Sequence, residues 1–135
     1  MTLHLVKLAV GVADLAELRR VRAARARERG GDWIATRNRP RRTAEVLDGG
    51  SIYWVIRGRV QVRQRVTGFR EEHMESGRSC LIVVDPLLIP TVPRPLRPFQ
   101  GWRYLSPADA PPDLPEGQEL PPESMLAELR ALGLW

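Results

Sequence analysis

The stretch GGSIYWVIRGRVQVRQRV, residues 49–66, sorts cleanly by parity. Its even positions from 52 read Ile52, Trp54, Ile56, Gly58, Val60, Val62, Gln64 and Val66; its odd positions read Ser51, Tyr53, Val55, Arg57, Arg59, Gln61, Arg63 and Arg65. Successive side chains of a strand point to opposite faces, so this is a two-faced strand pattern. Drawn straight, residues 51–66 would reach about 53 Å, too far for a small domain. The chain must bend or turn, and Gly58 is where it can. A two-residue hairpin at Arg57-Gly58 would set Trp54 opposite Gln61 and Tyr53 opposite Val62, mixing the faces. A three-residue loop, Ile56 to Gly58, pairs Trp54 with Val60 and Tyr53 with Gln61, and a single strand kinked at Gly58 keeps the faces apart equally well. In the last two cases Tyr53, Arg59, Gln61, Arg63 and Arg65 share one face. The expectation is that the even face of residues 52–62 is buried and the odd face open to solvent or a ligand.

A chain of 135 residues fits one domain with a modest core. With one cysteine, Cys80, it makes no intrachain disulfide, and it shows neither a secretory leader nor an apolar run of membrane-span length. A cytoplasmic protein with no membrane association is expected. The net charge is +5, unevenly spread: residues 1–66 hold fifteen Lys or Arg against six Asp or Glu, whereas residues 67–135 hold six against ten. A basic first half suits a polyanion, or a charge-matched contact between copies.

Around this stretch, MTLHLVKLAV alternates like a strand. Asp14 with Glu17 forms a capping-box pattern that opens DLAELRRVRAARARER, and Gly30-Gly31 closes it. Leu15, Leu18 and Val21 give this helix a thin apolar stripe, and its arginines read as a solvated face. WIATR reads as a short strand, and NRPRRTAEVLDGG as a two-turn helix with Pro40 in its first turn. Arg37, Arg39, Arg41 and Arg42 crowd the start of that helix, where the dipole disfavours cations; a bound anion would offset the cost, as would pairing with the acidic second half. TGFREEHMESGRS is polar and turn-rich, CLIVV a buried strand, PLLIPTVPRPLRP an extended edge, and FQGWRYL a further strand. A proline-rich surface crossing at 106–121 and a C-terminal helix at 122–132 complete one domain over 1–135.

Two histidines and one cysteine give no closed metal-ligand set, no glycine loop of phosphate-binding spacing occurs, and neither metal nor cofactor is expected. Cys80 and Asp85 read as structural, one in a buried strand and one opening a turn. Tyr53 among arginines is the arrangement that stacks a base while cations hold its phosphate, although a cross-strand partner for an arginine would look the same.

The segments MTLHLVKLAVGV, TRNRPRR, LDGGSIYWVIRGRVQVRQRV, DPLLIPTVPRPLRPFQGWRYL and LGLW resemble a family of short bacterial proteins catalogued as domain of unknown function 1489. The resemblance spans nearly the whole chain and implies no activity. The order strand, helix, strand, short helix, two-faced basic strand is also similar to the small RNA-binding barrels of the PUA-like group, which would imply a barrel and an RNA ligand. The expected fold is therefore α+β: a bent, mostly antiparallel sheet or partly closed, PUA-like barrel with three flanking helices. The expected function is RNA binding, with Tyr53, Arg59, Gln61, Arg63 and Arg65 as the nucleic-acid face and Arg37, Arg39, Arg41 and Arg42 as an anion site. A protein-interaction module or homodimer is the alternative, and a small-molecule enzyme the third reading.

Overall fold

The computed structural model describes residues 1–74, 77–97 and 99–115. Seven strands and two helices are seen there: β1 His4–Leu8, α1 Leu15–Arg29, β2 Asp32–Thr36, α2 Thr43–Leu47, β3 Ser51–Ile56, β4 Arg59–Met74, β5 Gly77–Val84, β6 Ile89–Pro95 and β7 Trp102–Leu105. The strands make one mixed sheet in the order β2-β5-β4-β3-β1-β7, with β6 also on β4. Only β1 and β3 run parallel; every other pair is antiparallel. The sheet is not closed, which corrects the expectation of a partly closed barrel, and two helices flank it among the described residues. The expected C-terminal helix at 122–132 lies outside them.

The turn between β3 and β4 is the two-residue one. Ile56 pairs with Arg59, and Arg57 and Gly58 both take positive φ (51° and 76°), the pair of values a type I′ turn requires. The parity does not carry across this turn: Arg59 lies opposite Ile56 and Val60 opposite Val55, so Arg59 does not share the Tyr53 face and Val60 does, and the expected alternation resumes only from Val62 and Arg63. The register steps from Val55↔Val60 to Trp54↔Val62, so Gln61 is an extra residue on β4. Its side chain donates Nε2 to the Ile56 carbonyl (2.8 Å), closing the bulge. As a result Val60 joins Tyr53 and Val55 on one face, while Val62 joins Trp54 and Ile56 on the other.

β4 continues for sixteen residues through TGFREEHM, which the sequence reading takes for turns. Its partner there is β5, whose Leu81, Ile82 and Val84 supply the burial that Arg70, Glu71, Glu72 and His73 do not. The two-turn helix expected around Pro40 is shorter: α2 begins at Thr43, and Pro40 is buried before it.

Both faces of β3 are covered. On one, Leu5, Ile52, Trp54, Ile56, Val62 and Ile82 pack with Leu18 of α1 and Val46 of α2. On the other, Val6, Tyr53, Val55 and Val60 pack with Phe99 and Leu105, with Leu96 and Ala110 beside them. All six β3 residues are therefore buried, and the odd face expected to be open is a second, smaller core. The apolar even-numbered residues from 52 to 62 are buried as expected, but Val60 is buried on the Tyr53 face.

Candidate functional site

Each residue of the expected nucleic-acid face now has a place. Tyr53 is 4 % exposed and meets His4 edge-on, ring centroids 5.1 Å apart. Arg59 and Gln61 are buried. Arg63 is half-buried and forks onto Asp113, Nε to Oδ1 at 2.7 Å and Nη2 to Oδ2 at 2.9 Å, while Nη1 donates to the Ser51 hydroxyl at 2.9 Å. That bidentate pair holds the Asp113 carboxyl below its usual range. Arg65 alone of the five is exposed. Tyr53 and Arg63 thus serve the packing of residues 99–113 against β3 and β4, Gln61 closes the bulge, and the five side chains do not form an open groove.

The arginines before α2 are exposed, and two of the backbone amides there already donate to a neighbour. The Tyr104 hydroxyl oxygen of β7 accepts from the backbone N–H of Arg41 (2.9 Å) and of Arg42 (3.1 Å). Arg39 pairs with Glu71 at 2.9 Å and Arg42 with Glu45, and Trp102 donates to the Asn38 carbonyl at 2.7 Å. This loop is tied to β7 by Tyr104 and Trp102 and to β4 by Glu71, and of these contacts only Arg39 with Glu71 is the pairing with the acidic second half that the sequence offers as the competing account.

A different cluster of cations stands around α1 and β2. Asp14 accepts from the Glu17 amide and the Glu17 carboxylate accepts from the Ala13 amide, so the helix opens as a capping box. Along it, Leu15, Leu18, Arg22, Arg25 and Arg29 follow alternating steps of three and four, the spacing of one helix face. The apolar stripe therefore runs into arginines on the side that faces the sheet. Arg22 is 4 % exposed, its guanidinium carbon 5.6 Å from the centre of the Trp54 ring and its Nη1 3.4 Å from Asp32 Oδ1. Burial pulls its pKa down, Asp32 opposes that, and Arg25 and Arg29 add to it. Behind Asp32 lies a buried chain of hydrogen bonds: Trp54 Nε1 donates to Gln64 Oε1 (2.9 Å), and Gln64 Nε2 donates to Asp32 Oδ2 (2.8 Å) and the Asp85 carbonyl (3.0 Å).

Two concavities adjoin this cluster. The inner one, about 280 Å³, lies between α1, β1 and β2, with Lys7, Arg22, Arg25 and Arg29 among its lining and Trp33 and Trp54 on its walls. The outer one, about 510 Å³, lies across the far face of β2, β5 and β4, between Arg29, Trp33, Phe69, Arg70 and Val83. Trp33 is half-buried, with the guanidinium carbons of Arg29 and Arg70 at 5.1 and 5.0 Å from its ring. Trp33 pairs with Val83, and Val83 with Gly68, so the three lie in one row across the sheet. Gly68 leaves the β4 end of that row without a side chain beside Val83, and the hollow opens there. Both concavities share Arg29 and Trp33.

The sequence reading takes the α1 arginines for a solvated face and misses this cluster; the three-and-four spacing through Arg22 is the signal that finds it. Among the described residues no three His, Cys, Asp or Glu gather as metal ligands, and no helix is long and apolar enough to cross a membrane. A family model described as Protein of unknown function (DUF1489) matches residues 5–135. No curated protein and no solved structure matches.

Proposed function

The chain belongs to the DUF1489 family of proteins of unknown function, and we propose that this member is a nucleic-acid-binding module that takes single-stranded RNA on the outer face of β2, β5 and β4. The observation that supports the reading is Trp33, half-buried at the rim of an open hollow with a guanidinium on each of two neighbouring elements. Single strands are held by aromatic faces that stack bases and by cations that track the backbone. Trp33 supplies the first; Arg29 and Arg70 supply the second. This moves the ligand from the β3–β4 stripe, where Tyr53 is covered, to a surface where Arg29 and Arg70 are exposed and Trp33 is half-buried, a stacked base taking the place of a guanidinium on its ring.

The interaction-module alternative has less support. It draws on a basic first half meeting an acidic second half, and Arg39 with Glu71 and Arg63 with Asp113 make such pairings within one chain.

Anisotropy titrations with labelled RNA and DNA oligonucleotides test the reading. With two arginines on phosphate, log K falls with log salt at a slope of about −1.4 for a single strand, and Arg70→Ala makes that slope shallower by about 0.7. Trp33→Ala weakens binding by about 1–3 kcal/mol and leaves the slope unchanged. Gly68→Val fills the hollow without removing a charge and should abolish binding. Binding untouched by Trp33→Ala and Gly68→Val but lost with Arg65→Ala would return the site to the stripe, and no binding at any salt would defeat the proposal.

A further inference from the structure

The inner cavity differs in chemistry from the outer hollow. Leu8, Val12, Leu18, Ile34 and Trp54 give it apolar walls, and Lys7, Arg22, Arg25 and Arg29 give it charge of one sign. Among the described residues that line it there is no acid, amide or hydroxyl side chain. A nucleobase bound in a pocket is read by hydrogen bonds along its edge. This wall offers an apolar surface and cations instead.

Arg22 is the second observation. It is buried on the cavity wall, and its Nε and Nη1 have no hydrogen-bond partner. Asp32 is close to Nη1 but not hydrogen-bonded to it, and the other Asp32 oxygen is taken by Gln64. A buried guanidinium with open donor positions is unusual, because buried polar groups almost always find partners. Lys7, half-buried on β1, enters the same space, and burial holds its pKa down, as expected for a cation with little solvent. Planar guanidinium groups match the oxygens of carboxylate and phosphate.

We propose that the cavity between α1, β1 and β2 binds a small amphiphilic anion, its carboxylate or phosphate headgroup on Arg22 and Lys7 and its apolar or aromatic body against Trp54 and Ile34. The volume, about 280 Å³, sits at the small end of ligand pockets. A body of one ring or a short chain fits it; a dinucleotide does not. The inference goes beyond the RNA reading and does not depend on it, because Lys7, Arg22 and Trp54 line the inner cavity and not the outer hollow.

Three probes separate the components: phenyl phosphate carries headgroup and body, inorganic phosphate the headgroup alone, and benzyl alcohol the body alone. Trp33 and Trp54 line the cavity, so tryptophan fluorescence reports binding, with calorimetry as the second readout. Phenyl phosphate should bind at least roughly ten-fold tighter than either fragment, since neither fragment makes both contacts. Equal affinity for phenyl phosphate and inorganic phosphate, or for phenyl phosphate and benzyl alcohol, would overturn the amphiphile assignment. Because Arg22→Gln leaves Asp32 buried without its cation and can simply fail to fold, the decisive variant is Lys7→Met, which keeps length and apolar stem. It should weaken phenyl phosphate by roughly ten-fold and leave benzyl alcohol unchanged; unchanged phenyl phosphate affinity in the folded variant sinks the proposal. Gly68→Val should bind phenyl phosphate as the wild type does while losing RNA, so failure at one site is read independently of the other.

Discussion

His4 is the side chain whose protonation the fold most directly opposes. Its Nδ1 accepts from the Ser51 amide at 3.0 Å, a bond that only a neutral nitrogen can make, and its ring lies edge-on to Tyr53. Burial, and then the charge of Arg63, lower its pKa from 6.5. The sign follows from proton binding: below about 6.5 the unfolded chain takes up a proton that the folded chain refuses. Stability from His4 is thus complete above that value, is lost as pH falls through it, and levels off beneath the folded pKa. Asp113 acts in the same direction at lower pH, since Arg63 depresses its pKa from 3.8. Melting at pH 7.5 and pH 5 should show a lower transition in acid, and His4→Asn, which offers an amide oxygen near the Nδ1 position without titrating, should flatten the difference. An equal acid shift in His4→Asn would assign it to another group.

Where β1, α2 and β3 converge, a single glycine sets how closely elements approach. A Cβ on Gly50 would overlap the Leu3 and Val46 carbonyl oxygens and stand 3.1 Å from the Val46 carbonyl carbon. The Gly50 amide also donates to the Val46 carbonyl (2.8 Å), and its own carbonyl accepts from Val66 (3.0 Å), so the backbone has no freedom to retreat. Gly50→Ala should cost at least the upper end of the roughly 1–3 kcal/mol of overpacking. Gly68→Ala, whose Cβ would meet only Val83 at 3.8 Å, should melt within about 1 kcal/mol of the wild type. Similar melting for the two variants would refute this account of the junction. In the sequence Gly49-Gly50 reads as a helix stop, which it is, but the contact that forbids a side chain is tertiary and invisible there. The β3–β4 stretch divides the same way. Its alternation and its turn at Gly58 are legible, whereas the bulge at Gln61 depends on a side-chain bond to Ile56, the burial of Tyr53 depends on Phe99 and Leu105, and Arg59 pairs with Pro95, all three far along the chain. The polar half of β4 was hidden because its strand state rests on backbone pairing with β5, which leaves no apolar alternation to read. The α1 cluster was legible in principle: Arg22 continues the step from Leu18, but a cation on a core-facing position is a rare enough pattern that the solvated-face reading wins by default.

Charge in the whole molecule is neutralised unevenly. Ion pairs join Arg22 to Asp32, Arg39 to Glu71, Arg42 to Glu45, Arg63 to Asp113 and the N-terminal amine to Asp48, among others, while Arg19, Arg20, Arg25, Arg27 and Arg29 all stand exposed on one fifteen-residue helix. Arg25 and Arg29 are four apart, the spacing at which like charges destabilise a helix, and both border the cavity where Arg22 is buried. Against this, Arg27 and Arg29 lie in the last turn, where the helix dipole favours cations by about 0.3–1 kcal/mol each. Repulsion reaches several neighbours at once and acts through solvent, whereas exposed ion pairs such as Arg39–Glu71 contribute about 0–1 kcal/mol. The repulsion should therefore dominate the salt response. Raising ionic strength from 0.01 to 0.1 M shortens the screening length from about 30 to about 10 Å, which covers the separations along α1 and spares little of the long-range repulsion. The melting temperature should rise over that interval in sodium chloride, by roughly a few degrees for a gain near 1 kcal/mol. Arg25→Gln with Arg29→Gln should be more stable than the wild type at 0.01 M and respond less to salt. A melting temperature that falls with salt, in the wild type and the double variant alike, would mean that the ion pairs outweigh the α1 repulsion, and it would remove the electrostatic reason for placing an anion beside Arg25 and Arg29.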